Sequence, residues 1–256
     1  MSDFHIVIPA RYGSSRLPGK PLLLLGGEPM VAHVARRARE SGAASITLAT
    51  DDQRIAAAAA DLGVAVSMTA AAHPSGTDRL AEVAARKGWR DDAVVVNLQG
   101  DEPLMPAALL RQVAANLQAH PAASIATLCT PVCTQQELFD PNAVKVVRDC
   151  QGYALYFSRA PVPWYRDGFA REPRTLPPMQ AHYRHLGLYA YRAGFLRRYS
   201  GWPPAPLEQC ESLEQLRALW MGERIHVAEA LESPPAGVDT EEDLQRVARL
   251  LSRAEQ

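Results

Sequence analysis

The segment Ala93-Val-Val-Val-Asn-Leu-Gln-Gly-Asp-Glu-Pro103 is an apolar run that ends in a polar, acidic turn. A strand without polar alternation is typical of a parallel sheet that is covered on both faces. Three further short apolar runs precede it, at residues 4–8, 45–49 and 64–68, and helical patterns separate them. Strands that alternate with helices predict an α/β fold with a Rossmann-like, doubly wound and mostly parallel sheet.

The second half of the chain has a different pattern. Residues 143–148 and 153–157 are apolar runs on either side of a Gln-Gly turn, which predicts an antiparallel hairpin inserted into the α/β fold. The proline-rich stretch 161–178 is predicted to be irregular. Residues 184–191 have a strand pattern, and residues 207–220 are predicted to form one helix.

The C-terminal part returns to the α/β pattern, with a strand predicted at residues 224–230. Thr240 is expected to begin the final helix, and Asp243 stands where it completes an imperfect capping box. We therefore interpret residues 1–256 as one domain.

The overall composition excludes several classes of protein. The 256 residues are 47% hydrophobic, and the formal net charge of -1 lacks the basic surplus that non-specific nucleic-acid binding needs. The start of the chain has no signal-peptide pattern, and no stretch is apolar enough to span a membrane. The four cysteines lack zinc-site spacing. We expect reduced thiols in a cytoplasmic protein, with no nucleic-acid or membrane partner.

The loop Pro9–Pro21 directly follows the first strand and carries two glycines, two serines and three cations, Arg11, Arg16 and Lys20. Backbone amides of such a loop can converge on an anion, and fixed cations neutralise it, so a triphosphate would suit this loop. The glycine spacing fits neither a Walker A loop nor GxGxxG. The alternative is a solvated basic surface loop.

Two aspartates are candidate metal ligands. Asp101 follows a buried strand on a glycine-containing turn, and Asp239 lies just before the last helix. Magnesium often takes one or two protein carboxylates together with substrate phosphates. Asp101 could instead be a turn or capping residue, and Asp239 could simply favour the helix dipole.

Two further segments have weaker signals. The loop His73-Pro-Ser-Gly-Thr-Asp-Arg79 precedes a helix predicted to begin near Asp78, and it could recognise a base edge through Ser75 and Arg79, or be a plain turn. His185 and Tyr189 have the even spacing that places side chains on one face of a strand. Such a pair is also common in an ordinary half-buried strand.

Eight motifs stand in order along the chain: Pro9-Ala-Arg-Tyr-x-Ser-x-Arg-Leu-Pro-Gly-Lys-Pro21, His73-x-Ser-Gly-Thr-x-Arg79, Val96-Asn-x-Gln-Gly-Asp-Glu-Pro103, Pro141-Asn-Ala-Val-Lys-Val-Val147, Tyr156-Phe-Ser-Arg159, Arg184-His-x-Gly-x-Tyr189, Leu213-Glu-Gln-Leu-Arg217 and Gly237-Val-Asp-Thr240. Together they closely resemble the 3-deoxy-manno-octulosonate cytidylyltransferase (CMP-KDO synthetase) family, from about residue 4 to residue 250. The CMP-sialic acid synthetases share the plan of the first loop but not the Gln-Gly-Asp-Glu-Pro run.

The resemblance implies a nucleotidyltransferase that uses CTP and Mg²⁺ to activate the acidic sugar 3-deoxy-manno-octulosonate (KDO), releasing pyrophosphate, for bacterial lipopolysaccharide. It implies that nine residues bind the nucleotide: Ala10, Arg11, Ser14, Arg16, Lys20, His73, Ser75, Arg79 and Gln99. It further implies sugar binding by Gln99, Arg166, His185, Tyr189 and Glu214, and metal binding by Asp101 and Asp239.

Arg11, Lys20 and Asp101 would be the catalytic residues of such an enzyme. The resemblance also implies a homodimer, with a subdomain at about residues 131–200 for sugar binding and dimer contact. Two alternatives remain at this point: a related acidic sugar, such as an amino-sugar variant, and a nucleotide-sugar binding or regulatory protein without turnover.

Overall fold

The computed structural model describes residues 3–13, 17–73, 75–172 and 174–254. The strands are β1 (Phe4–Ala10), β2 (Leu24–Leu25), β3 (Glu28–Pro29), β4 (Ser45–Thr50), β5 (Ala65–Met68), β6 (Val94–Asn97), β7 (Ile125–Pro131), β8 (Lys145–Arg148), β9 (Ala154–Ser158), β10 (Tyr183–Arg192) and β11 (Ile225–Glu229). The helices are α1 (Met30–Glu40), α2 (Gln53–Ala59), α3 (Gly76–Arg86), α4 (Ala107–Ala119), α5 (Gln135–Phe139), α6 (Arg166–Arg171), α7 (Ala193–Tyr199), α8 (Pro206–Glu211), α9 (Gln215–Trp220) and α10 (Glu241–Ala254).

The described residues form a nine-stranded sheet along the path β11-β7-β10-β6-β1-β4-β5, and the β8–β9 pair joins it beside β10. The short strands β2 and β3 form a separate antiparallel pair. β1 is parallel to β4 and β6, β4 is parallel to β5, and β7 is parallel to β11. Only β10 runs antiparallel to its neighbours β6 and β7 along that path. The predicted mostly parallel α/β sheet is therefore confirmed.

Both faces of the sheet are covered, as the uninterrupted apolar strands predict. Ile8 of β1 packs into a core layer with Leu109 of α4, whereas the next residue back, Val7, packs into the opposite layer with Leu80 of α3. All four side chains are fully buried. The loops at the strand ends are consequently held by two cores rather than one.

The predicted antiparallel hairpin is present as β8 and β9. Its turn is fixed by Asp149, whose carboxylate accepts the backbone N–H groups of Gln151 and Tyr153, both at 2.8 Å. Gly152 has a φ of 82°, a left-handed conformation that glycine adopts without steric cost. The Gln-Gly pair is therefore the turn that the sequence indicates.

Several predictions about helices were wrong. The single helix expected over residues 207–220 is broken: α8 ends at Glu211, α9 begins at Gln215, and Ser212 between them has a φ of 52°. The proline-rich stretch 161–178, expected to be irregular, contains the helix α6. By contrast, the helix expected to begin near Asp78 is present as α3, which begins at Gly76. Within the described ranges, no helix has the length and apolar content that a membrane crossing requires.

Candidate functional site

The polar loops after the parallel strands meet at one edge of the sheet, as expected for an open α/β fold. Arg11 follows β1 and Asp101 follows β6, and these two strands are parallel neighbours. Both residues line a cleft of about 310 Å³, together with Lys20 and Asp239. We call it the basic cleft.

Every predicted nucleotide-binding residue that the structure describes lines the basic cleft: Ala10, Arg11, Lys20, His73, Ser75, Arg79 and Gln99. The other two, Ser14 and Arg16, lie outside the described residues. Motifs that are far apart in the sequence thus converge on one space.

The two predicted metal ligands also meet in the basic cleft. The ammonium nitrogen of Lys20 lies 2.9 Å from Oδ2 of Asp101 and 3.1 Å from Oδ1 of Asp239. It also donates to the carbonyl oxygen of Val238 at 2.8 Å. Burial alone would lower the pKa of Lys20, but the two carboxylates outweigh burial and raise that pKa. Lys20 is therefore a fixed cation between two aspartates.

The segment before α10, which carries Asp239, is held against the Asp101 turn by close backbone contact. The N–H of Val238 donates to the carbonyl of Asp101 at 2.9 Å. A Cβ on Gly237 would lie 2.9 Å from Oε1 of Glu102, so only glycine fits without a shift. The predicted capping box is present, since Thr240 and Asp243 exchange hydrogen bonds and Asp243 also accepts from the Asp239 N–H.

A third carboxyl group lies beside the pair. Burial, followed by the charges of Asp101 and Asp239, raises the pKa of Glu102 to about 8. Glu102 is therefore mostly protonated at neutral pH, which leaves two carboxylate charges around one ammonium. The surroundings of Asp101 and Asp239 consequently favour additional positive charge.

We tested the magnesium prediction against this donor set. The side chains of Asp101 and Asp239 are 37% and 51% exposed and open into the same cleft. Across the described ranges, no group of three or more His, Cys, Asp or Glu side chains is arranged to hold a metal ion. Two protein carboxylates completed by substrate oxygens are a common magnesium arrangement, so the residues present fit this ion.

The loop predicted to recognise a base is tied to the protein through its side chains. Ser75 caps α3 by accepting the Asp78 N–H at 3.2 Å. Arg79 is 3% exposed and donates to Thr69 and, at 3.2 Å, to Asp51. These contacts hold the Ser75 and Arg79 side chains in place, as a pocket that discriminates between bases requires.

Two more clefts adjoin the basic cleft. The aromatic cleft, about 320 Å³, is walled by Tyr189, Tyr191, Phe195 and Tyr199 and shares Gln99 and Glu214 with the basic cleft. The outer cleft, about 510 Å³, contains His185, Arg184 and Asn142 and shares Tyr189 and Glu102 with the aromatic cleft. The predicted sugar residues Gln99, His185, Tyr189 and Glu214 therefore lie along one continuous surface.

His185 and Tyr189 face the same side of β10, and their ring centroids are 5.2 Å apart. Nε2 of His185 lies 2.9 Å from Oγ1 of Thr127, and its ring meets Phe157 edge-on at 5.0 Å. Burial lowers the pKa of His185 to about 3. His185 is therefore neutral near pH 7 and can act as a hydrogen-bonding group, not as a cation.

Glu214 lies at the break between α8 and α9. Its Oε2 accepts the hydroxyl hydrogen of Thr77 at 2.8 Å, which joins the break to the first turn of α3. The carboxyl group opens into the clefts, but the protein walls around it remove enough water to raise its pKa. A continuous helix over residues 207–220 would not present Glu214 in this way.

Arg166 is the sugar-binding candidate that the structure does not place in a cleft. It is exposed at the start of α6 and lines none of the three clefts. Sequence reasoning also missed residues that do line them, including Thr77, Arg184 and Asn142. All three lie inside the eight sequence motifs, and this position was the available signal.

Comparison with known proteins gives an independent result. A family model described as cytidylyltransferase matches residues 5–225. A 3-deoxy-manno-octulosonate cytidylyltransferase of Hahella chejuensis is 61% identical over 99% of this chain and 100% of its own length. One of the same description from Nitrosococcus oceani is 57% identical over 97% of this chain and 96% of its own length.

Solved structures agree with these relatives. A CMP:2-keto-3-deoxy-manno-octonic acid synthetase, determined as a complex with CTP, superposes with a TM-score of 0.88 at 42% identity and covers 99% of this chain and 100% of its own. A nucleotidyl transferase from Methanothermobacter thermautotroptrophicus, 15% identical with a TM-score of 0.63 over 99% and 100% of the two chains, shares the fold.

Proposed function

The chain belongs to the cytidylyltransferase family, among the 3-deoxy-manno-octulosonate cytidylyltransferases, and on this premise we propose how its residues carry out that reaction. A hydroxyl oxygen of KDO bonds to the α-phosphorus of CTP, and the bond from that phosphorus to the bridging oxygen breaks. CMP-KDO forms, pyrophosphate leaves with the bonding electron pair, and the hydroxyl proton is released. The product serves lipopolysaccharide synthesis.

The observation that carries the residue assignments is the arrangement of the three clefts. A cleft with fixed cations opens, through Gln99 and Glu214, into a surface rich in aromatic and hydrogen-bonding side chains. CTP is an anion and KDO is a polyhydroxy acid, so the first space suits one substrate and the second suits the other. In phosphoryl-type transfers the protein mainly positions reactants and neutralises charge.

In the basic cleft, Arg11 and Lys20 bind the triphosphate and stabilise the charge on the departing pyrophosphate. Both line the cleft, and Lys20 is 9% exposed, so its ammonium group is held in place. Ser75, which caps α3, and Arg79, which is held by Thr69 and Asp51, recognise cytosine. Ser14 and Arg16, in the same basic loop as Arg11, are proposed to contact the phosphates on the resemblance alone.

The acidic sugar lies along the aromatic and outer clefts. Tyr189 and Glu214 hydrogen-bond its hydroxyl groups, neutral His185 supplies another polar contact, and Gln99 lies at the junction with the nucleotide. Arg166 is proposed to pair with the sugar carboxylate. Its helix α6 packs through Phe169 against Phe139, just before Asp140, which lines the outer cleft.

Magnesium is proposed as the cofactor, held by Asp101 and Asp239. When bound, it would neutralise phosphate charge and lower the pKa of an oxygen ligand. The fit rests on the two exposed carboxylates that face the same cleft.

A cytoplasmic homodimer completes the proposal. Three large apolar side chains between residues 131 and 200 are more than half exposed, namely Leu155 at 61%, Trp164 at 65% and Met179 at 64%. We propose that these side chains contribute to the contact with a second copy. The cysteines are free, three of them exposed, which is compatible with a reducing compartment.

A colorimetric assay of pyrophosphate release tests the proposal. The purified protein is incubated with CTP, Mg²⁺ and one of three acceptors: KDO, its amino-sugar variant or a sialic acid. We expect pyrophosphate in proportion to KDO consumed, and little with the other acceptors. Binding of CTP without pyrophosphate release from any acceptor would instead indicate a nucleotide-binding protein without turnover.

A further inference from the structure

The motif Tyr156-Phe-Ser-Arg159 at the end of β9 has no role in the function proposed above. Its side chains alternate between two directions, as in any strand. The Ser158 hydroxyl donates to Oε1 of Glu211, at the end of α8, at 2.6 Å, and the Tyr156 side chain lies near the same carboxyl group. Phe157 faces the other way, against the ring of His185.

Glu211 and Arg159 form two hydrogen bonds, each between the backbone of one residue and the side chain of the other. The backbone N–H of Arg159 donates to Oε2 of Glu211 at 2.9 Å. The Nε of Arg159 donates to the Glu211 backbone carbonyl at 2.6 Å. That carbonyl is one that a continuing helix would use for its own hydrogen bonds, so this contact helps to end α8 at Glu211.

The guanidinium group of Arg159 also contacts the backbone of two other segments beside the outer cleft. Nη1 donates to the carbonyl of Pro141 at 2.9 Å, and Nη2 lies 3.5 Å from the carbonyl of Ser212. The neighbours of these two residues, Asn142 and Leu213, both line the outer cleft. Arg159 therefore links two chain segments that line this cleft.

The break between α8 and α9 needs such support. Ser212 has a φ of 52°, a left-handed conformation that is unfavourable for a residue with a side chain. Two residues later, Glu214 contacts Thr77 and opens into the clefts. If the break relaxed toward helix, Glu214 would turn away from this position.

We propose that Glu211 is a positioning residue for the acidic-sugar subsite: through Ser158 and Arg159 it holds the α8–α9 break in the conformation that presents Glu214 beside the outer cleft. The proposal rests on the proposed function, since it assigns the outer and aromatic clefts to the sugar. Glu211 itself does not line any of the three clefts. Its effect on the reaction is therefore indirect.

The test compares Glu211→Ala, Glu211→Gln, Ser158→Ala and the double variant Ser158→Ala/Glu211→Ala. We expect Glu211→Ala to raise the KM for KDO at least tenfold, with kcat within threefold and the calorimetric Kd for CTP within twofold of the unmodified protein. Glu211→Gln, which keeps one acceptor oxygen, should recover part of the loss. The double variant should be no worse than Glu211→Ala, because both changes disrupt one unit.

The control is Cys210→Ser, a change at the exposed neighbouring residue on the same helix. Equal rises in the KM for KDO and the Kd for CTP, or losses that follow only the melting temperature, would overturn the proposal. So would an unchanged KM for KDO in Glu211→Ala. A failure of the proposed function is distinguishable, because the unmodified protein would then release no pyrophosphate with KDO.

Discussion

The carboxylates of Asp101 and Asp239 share one ammonium partner, since Nζ of Lys20 lies 2.9 Å from the first and 3.1 Å from the second. The two aspartates come from distant loops, one after β6 and the other before α10. Their meeting point lies in the cleft that also contains Arg11 and Gln99. The two carboxylates therefore form one electrostatic unit.

We predict that Asp101→Asn and Asp239→Asn each lower kcat on the order of a thousandfold, because each would remove a charged ligand from the proposed magnesium ion. The double variant should be scarcely worse than either single variant, because residues that act as a unit are not additive. Steady-state pyrophosphate release measures all three. Asp92→Asn, at an exposed aspartate paired only with Arg90 in the described contacts, is the control. Small, additive losses that follow a lowered melting temperature would contradict a shared site.

The nucleotide pocket should prefer CTP to UTP. A rigid loop that recognises the 4-amino edge of cytosine leaves a polar group unpaired with uracil, at a cost of roughly 1–3 kcal/mol, or about ten- to a hundredfold in kcat/KM. Because Arg79 is held by Asp51, Asp51→Asn should reduce this preference, whereas Asp52→Asn, which frees Arg54, should not. Competition between the two nucleotides gives the ratio directly. Equal use of CTP and UTP by the unmodified protein would remove the basis of this assignment.

Arg166→Ala should raise the KM for KDO about tenfold or more and leave the Kd for CTP unchanged, since only the sugar carboxylate needs this cation. Arg171→Ala, at the other end of α6, controls for loss of charge on the same helix. Calorimetric titration with each ligand provides the measurement. A weaker affinity for CTP with an unchanged affinity for the sugar would show that the assignment is wrong, and Arg184 would become the candidate because it lines the outer cleft.

The free energy of unfolding should decrease in mild acid because His226 is buried in its neutral form. His226 is 6% exposed, stacks on His120 at 3.6 Å, and has no hydrogen-bond partner for Nδ1 in the described part of the chain. Burial, then the charges of His120 and Arg148, lowers its pKa from 6.5 to about 4. The unfolded chain therefore binds more protons between pH 6.5 and 4, and the stability present above pH 6.5 is lost as the pH falls through this window.

Urea unfolding at several pH values measures this loss. We expect the variant His226→Phe, which keeps the ring stack but cannot be protonated, to lose less stability than the unmodified protein between pH 6.5 and 4. Identical pH dependence in the two proteins would show that His226 does not titrate in this window.

The sequence allowed the sheet and most of the site to be predicted for the same physical reason. Loops that follow parallel strands meet at one edge of the sheet. The positions of Arg11, Gln99 and Asp101 after strands therefore predict that these residues lie close together. Apolar periodicity could not reveal the break at Ser212, because Leu213, directly after it, keeps helical spacing with Leu216 and packs into the same core. The break is contacted by Arg159, which lies 53 residues away from Ser212 in the sequence.

The strand β7 was missed for a related reason. Its residues Ile125–Pro131 include two threonines and a cysteine, which weaken the apolar pattern, yet most of them are fully buried between β10 and β11. Thr127 is satisfied there by the carbonyls of Leu186 and Leu188. A buried polar residue is tolerated when it has hydrogen-bond partners. Here the partners come from a distant strand, so a local sequence pattern does not reveal them.

The central claim is that the α-phosphorus of CTP ends on the acidic sugar, and labelled CTP tests it most directly. The protein is incubated with KDO, Mg²⁺ and CTP that carries ³²P at either the α or the γ position, and the products are separated chromatographically. We predict that the α label enters a sugar nucleotide and the γ label enters pyrophosphate, both only when KDO is present. Appearance of the α label in free CMP or CDP, or release of γ label as inorganic phosphate without KDO, would contradict the account.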